Sequence, residues 1–292
     1  MAEPTGAVAG VENPIELRRV ATQVAQVAAA RIRRRRPEVF GAGGGAVEGA
    51  VQTKSTPTDP VTVLDTESEV LIREQLAELR PGDRILGEEG GGTAGDVAGL
   101  RWVVDPIDGT VNFLYGIPAY AVSVAVQLDG VSVAGAVVDV VREITYSAAL
   151  GQGASVVERD GASRALRCNE IDSAAVALLA TGFGYDERRR AAQGRLIGEL
   201  LGRVRDIRRI GSAALDLCMV ASGQVDAHFE HGLSPWDWAA GSLIAAEAGA
   251  VVRLPAPDSV SADGAVTIAM APGIADELGA IFTEIGAFRP LP

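Results

Sequence analysis

The segment VVDPIDGTVNF, residues 103–113, ends an apolar run with two aspartates three positions apart. In an uninterrupted strand, side chains at positions i and i+3 point to opposite faces, so Asp105 and Asp108 would lie on different sides of the sheet. Pro106 cannot donate to the strand ladder and turns the backbone, which lets both carboxylates face one cavity. The sequence therefore predicts a strand that stops at Asp105, with the Ile107 carbonyl exposed between the two acids as a further oxygen ligand.

The residues after this strand predict a short helix. The segment GTVNF can open a helix whose first amides, at Gly109 and Thr110, meet a phosphate at the positive end of the helix dipole. A phosphate beside two carboxylates requires compensating positive charge, because like charges in one pocket destabilise the fold. The local sequence thus indicates bound cations.

Three further acids occupy the ends of predicted elements. Asp65 directly precedes a capping box, Thr66-x-x-Glu69, which predicts that a helix begins at Thr66. Glu88 follows the short strand RILG, and Asp237 opens a helix in PWDWAAG. Element ends are where chain segments converge on functional sites, so we expect these acids to join the two aspartates.

Acids that converge in this way predict divalent cations. All-oxygen ligation favours Mg²⁺, with Mn²⁺ as a substitute, over zinc, which prefers the histidine and cysteine ligands that this chain hardly contains. Two ions roughly 3.5–4 Å apart can hold a phosphate, generate hydroxide from bound water and neutralise a departing alkoxide. The pattern predicts hydrolysis of a phosphate ester.

The composition excludes several other classes. The 292 residues, 48% of them hydrophobic, suffice for one large domain or two packed subdomains. The net charge of −12 argues against a general nucleic-acid binder but not against an anionic substrate. Cys168 and Cys218 form no CxxC pair, which suits a reducing compartment. No leader pattern and no apolar run of about 18 residues is present, so we expect a cytoplasmic protein without a membrane segment.

The amino-terminal pattern predicts one amphipathic helix that begins at Pro14, includes the arginine-rich run at 31–36 and is ended by Pro37. Arginines at a helix carboxyl terminus suit the helix dipole, and we expect them to point into water. A basic patch that docks RNA or an acidic partner is the alternative interpretation. The glycine-rich segment 41–55 lacks the spacing of a dinucleotide-binding loop and indicates a mobile hairpin.

The rest of the chain predicts an antiparallel meander followed by alternating helices and strands. The meander strands are 100–105, 120–128, 131–141 and 143–150. The later helices lie around 187–205, 212–222, 235–249 and 273–287, with strands near 175–181, 224–229 and 251–254. We expect a layered α/β structure in one compact catalytic unit. Residues 1–150 form an α+β subdomain with the larger sheet and most metal ligands, and residues 151–292 form an α/β subdomain with Asp237 and the substrate-contacting residues.

Three other chemistries are disfavoured. The D-x-D-G-T motif of haloacid-dehalogenase phosphatases, which form an aspartyl phosphate, is one residue shorter than DPIDGT and lacks its proline. Neither cysteine is followed six residues later by the arginine that a cysteine phosphatase needs. His228 and His231, the two histidines of the chain, indicate a structural pair rather than a zinc site.

Taken together, these motifs resemble the inositol monophosphatase family, within the lithium-sensitive, magnesium-dependent phosphatase superfamily, and are most similar to its bacterial SuhB-type members. The matching stretches lie between residues 54 and 250: KSTPTDPVTVLD, GEE, WVVDPIDGTVNF, GSAALDLCMVASGQVDAHFE and PWDWAAGSLIAAEAGA. The resemblance implies lithium inhibition, a homodimer, and a five-layer αβαβα sandwich of the inositol monophosphatase and fructose-1,6-bisphosphatase type.

The resemblance also implies a set of metal ligands. One Mg²⁺ would be held by Glu88, Asp105 and the Ile107 carbonyl. A second would be held by Asp105, Asp108 and Asp237. A third, weaker ion would use Glu88 and water molecules, so that two or three ions offset the carboxylates.

Catalytic residues follow from the same resemblance. Thr110, oriented by Asp65, matches the pair that activates the attacking water, and Glu88 is the third residue that we assign to catalysis. Asp108 and the amides of Gly109 and Thr110 would adjoin the phosphate.

Two positions match residues that contact inositol hydroxyls. These are Glu230 and Ala213, and an anionic acceptor at Glu230 would pair with hydroxyl donors. Lys54, the one lysine among 26 basic residues, lies where the family has a lysine beside a mobile loop that closes on the metals. We expect Lys54 to lend charge there.

We therefore expect magnesium-dependent hydrolysis of inositol 1-phosphate to inositol and phosphate by a metal-activated water, without a covalent intermediate. A broader sugar-phosphate phosphatase, acting on fructose 1,6-bisphosphate or histidinol phosphate, is one alternative. SuhB-type relatives are also associated with RNA polymerase and ribosomal RNA transcription, so a transcription-associated role is another, although we expect no direct nucleic-acid binding.

Overall fold

The computed structural model describes residues 13–41, 49–54, 59–92 and 95–292, which form a mixed α/β structure. The helices are α1 (Pro14–Phe40), α2 (Val63–Leu79), α3 (Thr110–Tyr115), α4 (Glu187–Leu200), α5 (Ala213–Ala221), α6 (Pro235–Glu247) and α7 (Ala275–Glu284). The strands are β1 (Val51–Thr53), β2 (Pro60–Thr62), β3 (Arg84–Gly87), β4 (Leu100–Asp108), β5 (Ala121–Leu128), β6 (Val131–Asp139), β7 (Ile144–Ala149), β8 (Ala154–Val157), β9 (Ser163–Ala165), β10 (Leu178–Thr181), β11 (Asp206–Arg208), β12 (Ala227–His231), β13 (Val251–Arg253) and β14 (Val266–Met270).

The larger sheet has seven strands in the order β3-β4-β5-β6-β7-β8-β9. β3 pairs with β4 in parallel, and every later pair of neighbours is antiparallel, so the predicted meander is confirmed. This order follows from short connections, which join antiparallel neighbours directly. The sheet continues to Ala165, past residue 150, and the division of the chain at residue 150 stays a prediction.

Three hydrophobic cores hold the layers together. α1 and α2 cover one face of the larger sheet, where Ile32, Ile72 and Trp102 share a core. α5 and α6 fill the space between the two sheets; α6 is apolar on nearly all sides, which is typical of a helix buried on both faces. α4 and α7 cover the far face of the smaller sheet. The predicted five-layer αβαβα sandwich is confirmed.

The smaller sheet has five strands in the order β11-β10-β12-β14-β13. Two of them, β11 and β14, are absent from the sequence prediction, which extended a helix to residue 205, whereas α4 ends at Leu200. β14, with the sequence VTIAM, is buried at every position. A short run that is buried on both faces has no clear period-two signal, and this explains why the strand was missed.

β4 continues through Pro106 to Asp108, which corrects the prediction that the strand stops at Asp105. Asp105 pairs with Ser123 and Asp108 with Ala121, so three residue steps on β4 lie opposite two on β5. This bulge places both aspartates on one face, because partners two apart on β5 point to the same side. The convergence of the two acids arises from a bulge and not from the end of the ladder.

α1 passes through Pro37 and ends at Phe40, which corrects its predicted end. Pro37 stands in the last turn, where it removes a single intrahelical hydrogen bond. Burial of Val39 and Phe40 holds that turn in place. Packing of the helix end thus outweighs the local cost of the proline.

The arginine run of α1 bonds to the protein instead of simply pointing into water, which corrects a second expectation. Arg36 Nη2 donates to the Phe113 carbonyl oxygen at 2.9 Å. Arg35 Nη2 lies 3.0 Å from a Glu67 carboxylate oxygen. These contacts join α1 to α3 and α2, so much of the run serves packing between elements.

Three further expectations concern single features. Across the described part of the chain, every helix is too short or too polar to span a bilayer. Cys168 and Cys218 are free thiols. The predicted hairpin at 41–55 lies largely outside the described residues, although β1 pairs with β2 in antiparallel fashion.

Candidate active site

A cavity of about 280 Å³ lies where β4 ends and α5 and α6 begin. Seven residues singled out from the sequence line it: Lys54, Glu88, Asp108, Gly109, Ala213, Glu230 and Asp237. Four others lie directly behind this lining or are bonded to it: Asp65, Asp105, Ile107 and Thr110.

Three carboxylates form the centre of the site. Asp105, Asp108 and Asp237 each offer one oxygen, and these atoms all lie within 4.8 Å of one another. Asp105 Oδ1 accepts from the Ile107 amide at 3.0 Å, and Asp237 Oδ2 accepts from the Ser234 amide at 2.7 Å. The backbone therefore orients the carboxylates of Asp105 and Asp237.

Asp108 ties the end of β4 to the start of α5. Its Oδ2 accepts from the Ala214 amide at 2.7 Å and from the Ser212 hydroxyl at 2.6 Å. The positive end of α5 stabilises a negative charge there. Sequence reasoning missed Ser212, although a serine just before an apolar helical run is a recognisable N-cap signal.

The acids strongly perturb one another. Burial, followed by the charges of Glu88 and Asp108, raises the pKa of Asp105 well above its ordinary value. Burial, followed by Asp108 and Glu88, does the same to the pKa of Asp237. A bound divalent cation would offset this repulsion, and a set of carboxylates with one backbone carbonyl fits Mg²⁺ or Mn²⁺.

Thr110 opens α3 beside these acids. Its hydroxyl oxygen lies 3.0 Å from Asp65 Oδ1 and 3.0 Å from the Ile107 carbonyl oxygen. Burial raises the pKa of Asp65 to about 7, against the hydrogen bonds from Thr62, which lower it. A carboxyl group that titrates near neutral pH can accept a proton through the threonine.

Asp65 lies inside α2 and not before it, which corrects the predicted start of this helix. Thr62 is the N-cap, and its hydroxyl accepts from the Leu64 amide at 3.2 Å. Asp65 Oδ2 accepts in return from the Thr62 amide at 2.9 Å. The same bonds that start the helix therefore fix the carboxylate that faces Thr110.

Glu69 explains why the capping box was misplaced. Instead of bonding back toward Thr66, its carboxylate accepts from the Glu89 amide and the Gly90 amide, each at 2.7 Å. Arg73 Nε adds a third bond at 2.8 Å. Glu69 thus holds the turn after β3, a long-range role that no local motif could indicate.

Gly109 allows the chain to turn tightly between β4 and α3. Its φ of 99° lies in the left-handed region that favours glycine. A Cβ at this position would stand 3.0 Å from the carbonyl oxygens of Ala119 and Gly211. The backbone can therefore border the cavity here only without a side chain.

Lys54 also borders the cavity and carries a positive charge, opposite to that of the acids. Its ammonium donates to Glu88 Oε1 at 2.7 Å and also contacts the Glu89 carboxylate. Burial raises the pKa of Glu88, and the neighbouring Lys54 lowers it. The lysine thus partly neutralises the acids on this side.

The opposite side of the cavity carries Glu230, on β12, and Ala213, the first residue of α5. Burial raises the pKa of Glu230 to about 7. A Cβ at Gly182 would stand 2.2 Å from both Glu230 oxygens, so glycine leaves this carboxylate room. Tyr185 and Arg209 also line the cavity, and no sequence motif marks them.

His228 and His231 lie on opposite faces of β12, because they are three residues apart in a strand. They therefore do not converge on a common ion. His231 Nε2 lies 3.2 Å from the Arg289 carbonyl oxygen.

Comparison with known proteins agrees with this architecture. A family model described as the inositol monophosphatase family matches residues 13–285. An inositol-1-monophosphatase from Mycobacterium leprae is 57% identical over 96% of this chain and 97% of its own length. A Nus factor SuhB from Escherichia coli is 39% identical over 66% of this chain and 71% of its own. The solved structure of Mycobacterium tuberculosis SuhB has a TM-score of 0.81 at 51% identity, covering 95% of this chain and 100% of its own.

The fold, the acid-lined cavity and these similarities define a phosphatase that acts on small phosphate substrates. The chain belongs to the inositol monophosphatase family, as its sequence motifs predicted.

Proposed function

We propose that this enzyme hydrolyses inositol 1-phosphate to inositol and phosphate, with water as the nucleophile and no covalent intermediate. The observation that carries the proposal is the meeting of Asp105, Asp108 and Asp237 within 4.8 Å in a cavity with phosphate-sized room. A substrate of this kind is also the one named for the 57% identical relative. We further propose that the protein is a cytoplasmic homodimer.

The metal ligands we propose are Glu88, Asp105, the Ile107 carbonyl, Asp108 and Asp237. Two or three Mg²⁺ ions, with Mn²⁺ as a substitute, would supply charge neutralisation of the phosphate and acidification of a water molecule. The residues of the chain fix the ligand oxygens in advance, because each of the three aspartates is already bonded to backbone amides.

Thr110 and Asp65 act as the proton relay. The Thr110 hydroxyl donates to Asp65 Oδ1 and so turns a lone pair toward an attacking water. As the water attacks phosphorus and the phosphorus–oxygen bond to inositol breaks, the proton of the water passes to Thr110 while the threonine proton passes to Asp65, and the departing inositol oxygen takes a proton from solvent water. The cap of α2 holds Asp65 in place for this transfer.

The phosphate lies beside Asp108 and the amides of Gly109 and Thr110. The inositol ring extends toward Glu230 and Ala213, where the glutamate accepts from ring hydroxyls. Lys54 lends positive charge beside Glu88. This arrangement favours a polyol over a planar base.

Phosphate release from inositol 1-phosphate, fructose 1,6-bisphosphate and histidinol phosphate tests the proposal. We expect Mg²⁺-dependent release with the highest kcat/KM for inositol 1-phosphate, loss with a chelator and inhibition by Li⁺. Asp237→Asn should lower kcat on the order of 100-fold or more, because one charged metal ligand is lost. Higher kcat/KM for either other ester would transfer the assignment to a broader sugar-phosphate phosphatase.

Asp276→Asn is the matched control. Asp276 also lies in the first turn of a helix, α7, but is exposed and outside the cavity. This variant should retain wild-type kcat and the same circular dichroism spectrum. If Asp237→Asn retains wild-type kcat as well, the metal assignment fails.

A second role in transcription is suggested by the name of the 39% identical relative, but the structure favours it weakly. A docking role would depend on the arginine run of α1. Arg35 and Arg36 of that run already bond to Glu67 and to the Phe113 carbonyl. Hydrolysis is therefore the function we propose.

A further inference from the structure

A second group of metal-ligating side chains lies in the wall of the same cavity. Asp216 on α5 and His228 and Glu230 on β12 each offer one ligand atom, and these atoms all lie within 4.8 Å of one another. His228 and Glu230 share a face of β12 because they are two apart. This group has no residue in common with the Asp105, Asp108 and Asp237 cluster.

Three buried polar atoms of this group lack hydrogen-bond partners. His228 is 0% exposed and Asp216 is 1% exposed. Neither ring nitrogen of His228 has a hydrogen-bond partner, and neither does Asp216 Oδ1. His228 Nδ1 lies 3.6 Å from Asp216 Oδ2, too far for a good hydrogen bond. Buried polar groups are almost always satisfied, so an unpaired imidazole beside two carboxylates indicates a missing ligand.

We propose that Asp216, His228 and Glu230 bind one divalent transition-metal ion of the zinc type. An imidazole nitrogen with two carboxylate oxygens is a set that Zn²⁺ accepts and that Mg²⁺ does not prefer. The two carboxylate charges balance the charge of the ion. Asp216 and Glu230 both border the cavity, which gives the ion an entry path and leaves it an open coordination position.

This site uses none of the metal ligands proposed for hydrolysis and shares with the proposed substrate contacts only Glu230, and its occupancy does not depend on turnover. The ligand types divide the two sites: the three-aspartate cluster has oxygen donors, whereas this group contains a nitrogen donor. Excess Mg²⁺ therefore occupies the first and leaves the second to Zn²⁺. Metal binding can be measured without any substrate.

The chain has two histidines, which makes nuclear magnetic resonance of the imidazole nitrogens a direct test on the unmodified protein. Chelator-washed full-length protein is saturated with Mg²⁺ and titrated with Zn²⁺. We expect the ring nitrogen signals of His228 to shift to a new position at one equivalent, while those of His231 stay in place. Signals are assigned with His231→Gln. An unchanged His228 ring, or a shift of His231 instead, overturns the proposal.

Equilibrium dialysis with metal analysis gives a second readout. The wild type and His231→Gln should retain one more Zn²⁺ per chain than His228→Phe, with all three proteins in excess Mg²⁺. His231 is the matched control because it lies buried on the other face of the same strand. If His228→Phe fails to fold, Asp216→Asn replaces it and should lose the same ion. Equal zinc contents in a folded variant and the wild type contradict the site.

Discussion

Thr110 shows how much can depend on one hydroxyl group. It has two acceptors at 3.0 Å, Asp65 Oδ1 and the Ile107 carbonyl oxygen, but only one proton to donate. In the proposed relay Asp65 is the acceptor that serves catalysis, because a carboxylate can take the proton and a carbonyl cannot. In that relay Thr110 would link the amino-terminal half of α2 to the attacking water.

Thr110→Val should lower kcat by about 100-fold with little change in KM, because the relay loses its hydroxyl while the backbone amide stays. Thr110→Ser should recover most of the activity. Steady-state kinetics at saturating Mg²⁺ measures both. Equal kcat for the valine and serine variants would show that the hydroxyl takes no part.

At the scale of the element, α2 contains two similar capping-box motifs, of which only one begins the helix. Thr62-x-x-Asp65 and Thr66-x-x-Glu69 both resemble a capping box, and the structure uses the first. Thr62 is buried at the cap, whereas Thr66 is exposed within the helix. The two threonines are therefore a matched pair for mutation.

Thr62→Ala should lower the free energy of unfolding by about 1 kcal/mol, since the cap bond to the Leu64 amide is lost. Thr66→Ala should leave the free energy of unfolding unchanged or slightly raised, because alanine is the better helix former. Urea denaturation of both variants measures the difference. A larger loss for Thr66→Ala would contradict the observed start of α2.

The elements also show where sequence reasoning reached its limit. The meander and the acids at element ends could be predicted, because alternation, turn residues and caps are local signals. The start of α2 was misplaced because Glu69 bonds across the fold to Gly90 instead of capping a helix at Thr66, and the end of α1 depends on the burial of Phe40. Neither partner can be identified from residues nearby in sequence.

At the scale of the whole molecule, the buried side chain of His231 makes the free energy of unfolding depend on pH. Burial lowers the pKa of His231 to about 4, whereas the unfolded chain titrates near 6.5. Between these two pKa values the imidazole is protonated in the unfolded state but not in the folded state. The free energy of unfolding is therefore highest above pH 6.5 and falls as the pH drops toward 4. The free energy of unfolding falls by roughly 1 kcal/mol per pH unit within this window.

His231→Gln removes this titration, and glutamine can still donate to the Arg289 carbonyl oxygen. The difference in unfolding free energy between wild type and variant should therefore shrink as the pH falls from 6.5 to 4. Denaturation at several pH values measures it, and every other group cancels in the comparison. A difference that stays constant with pH would show that the pKa of His231 is the same in the folded and unfolded states.

At the same scale, the sequence patterns predicted a layered α/β structure and the family resemblance implied the five-layer sandwich, whereas the packing between the layers was not predicted. The site residues chosen from motifs line the cavity or lie next to its lining, and most of them stand at or near the end of an element. Ser212, Tyr185 and Arg209 reach the same cavity through the tertiary fold. Their places depend on how the two sheets meet, and a single sequence carries no signal for that.

The bond of Asp108 to the start of α5 also determines when the site can form. Asp108 belongs to the larger sheet, yet two of its hydrogen bonds come from Ser212 and Ala214. A chain still on the ribosome cannot gather its acids until α5 and α6 have emerged, so tight cation uptake comes late in folding. Recovery of turnover after dilution from denaturant should therefore track the docking of the two halves and not the appearance of secondary structure.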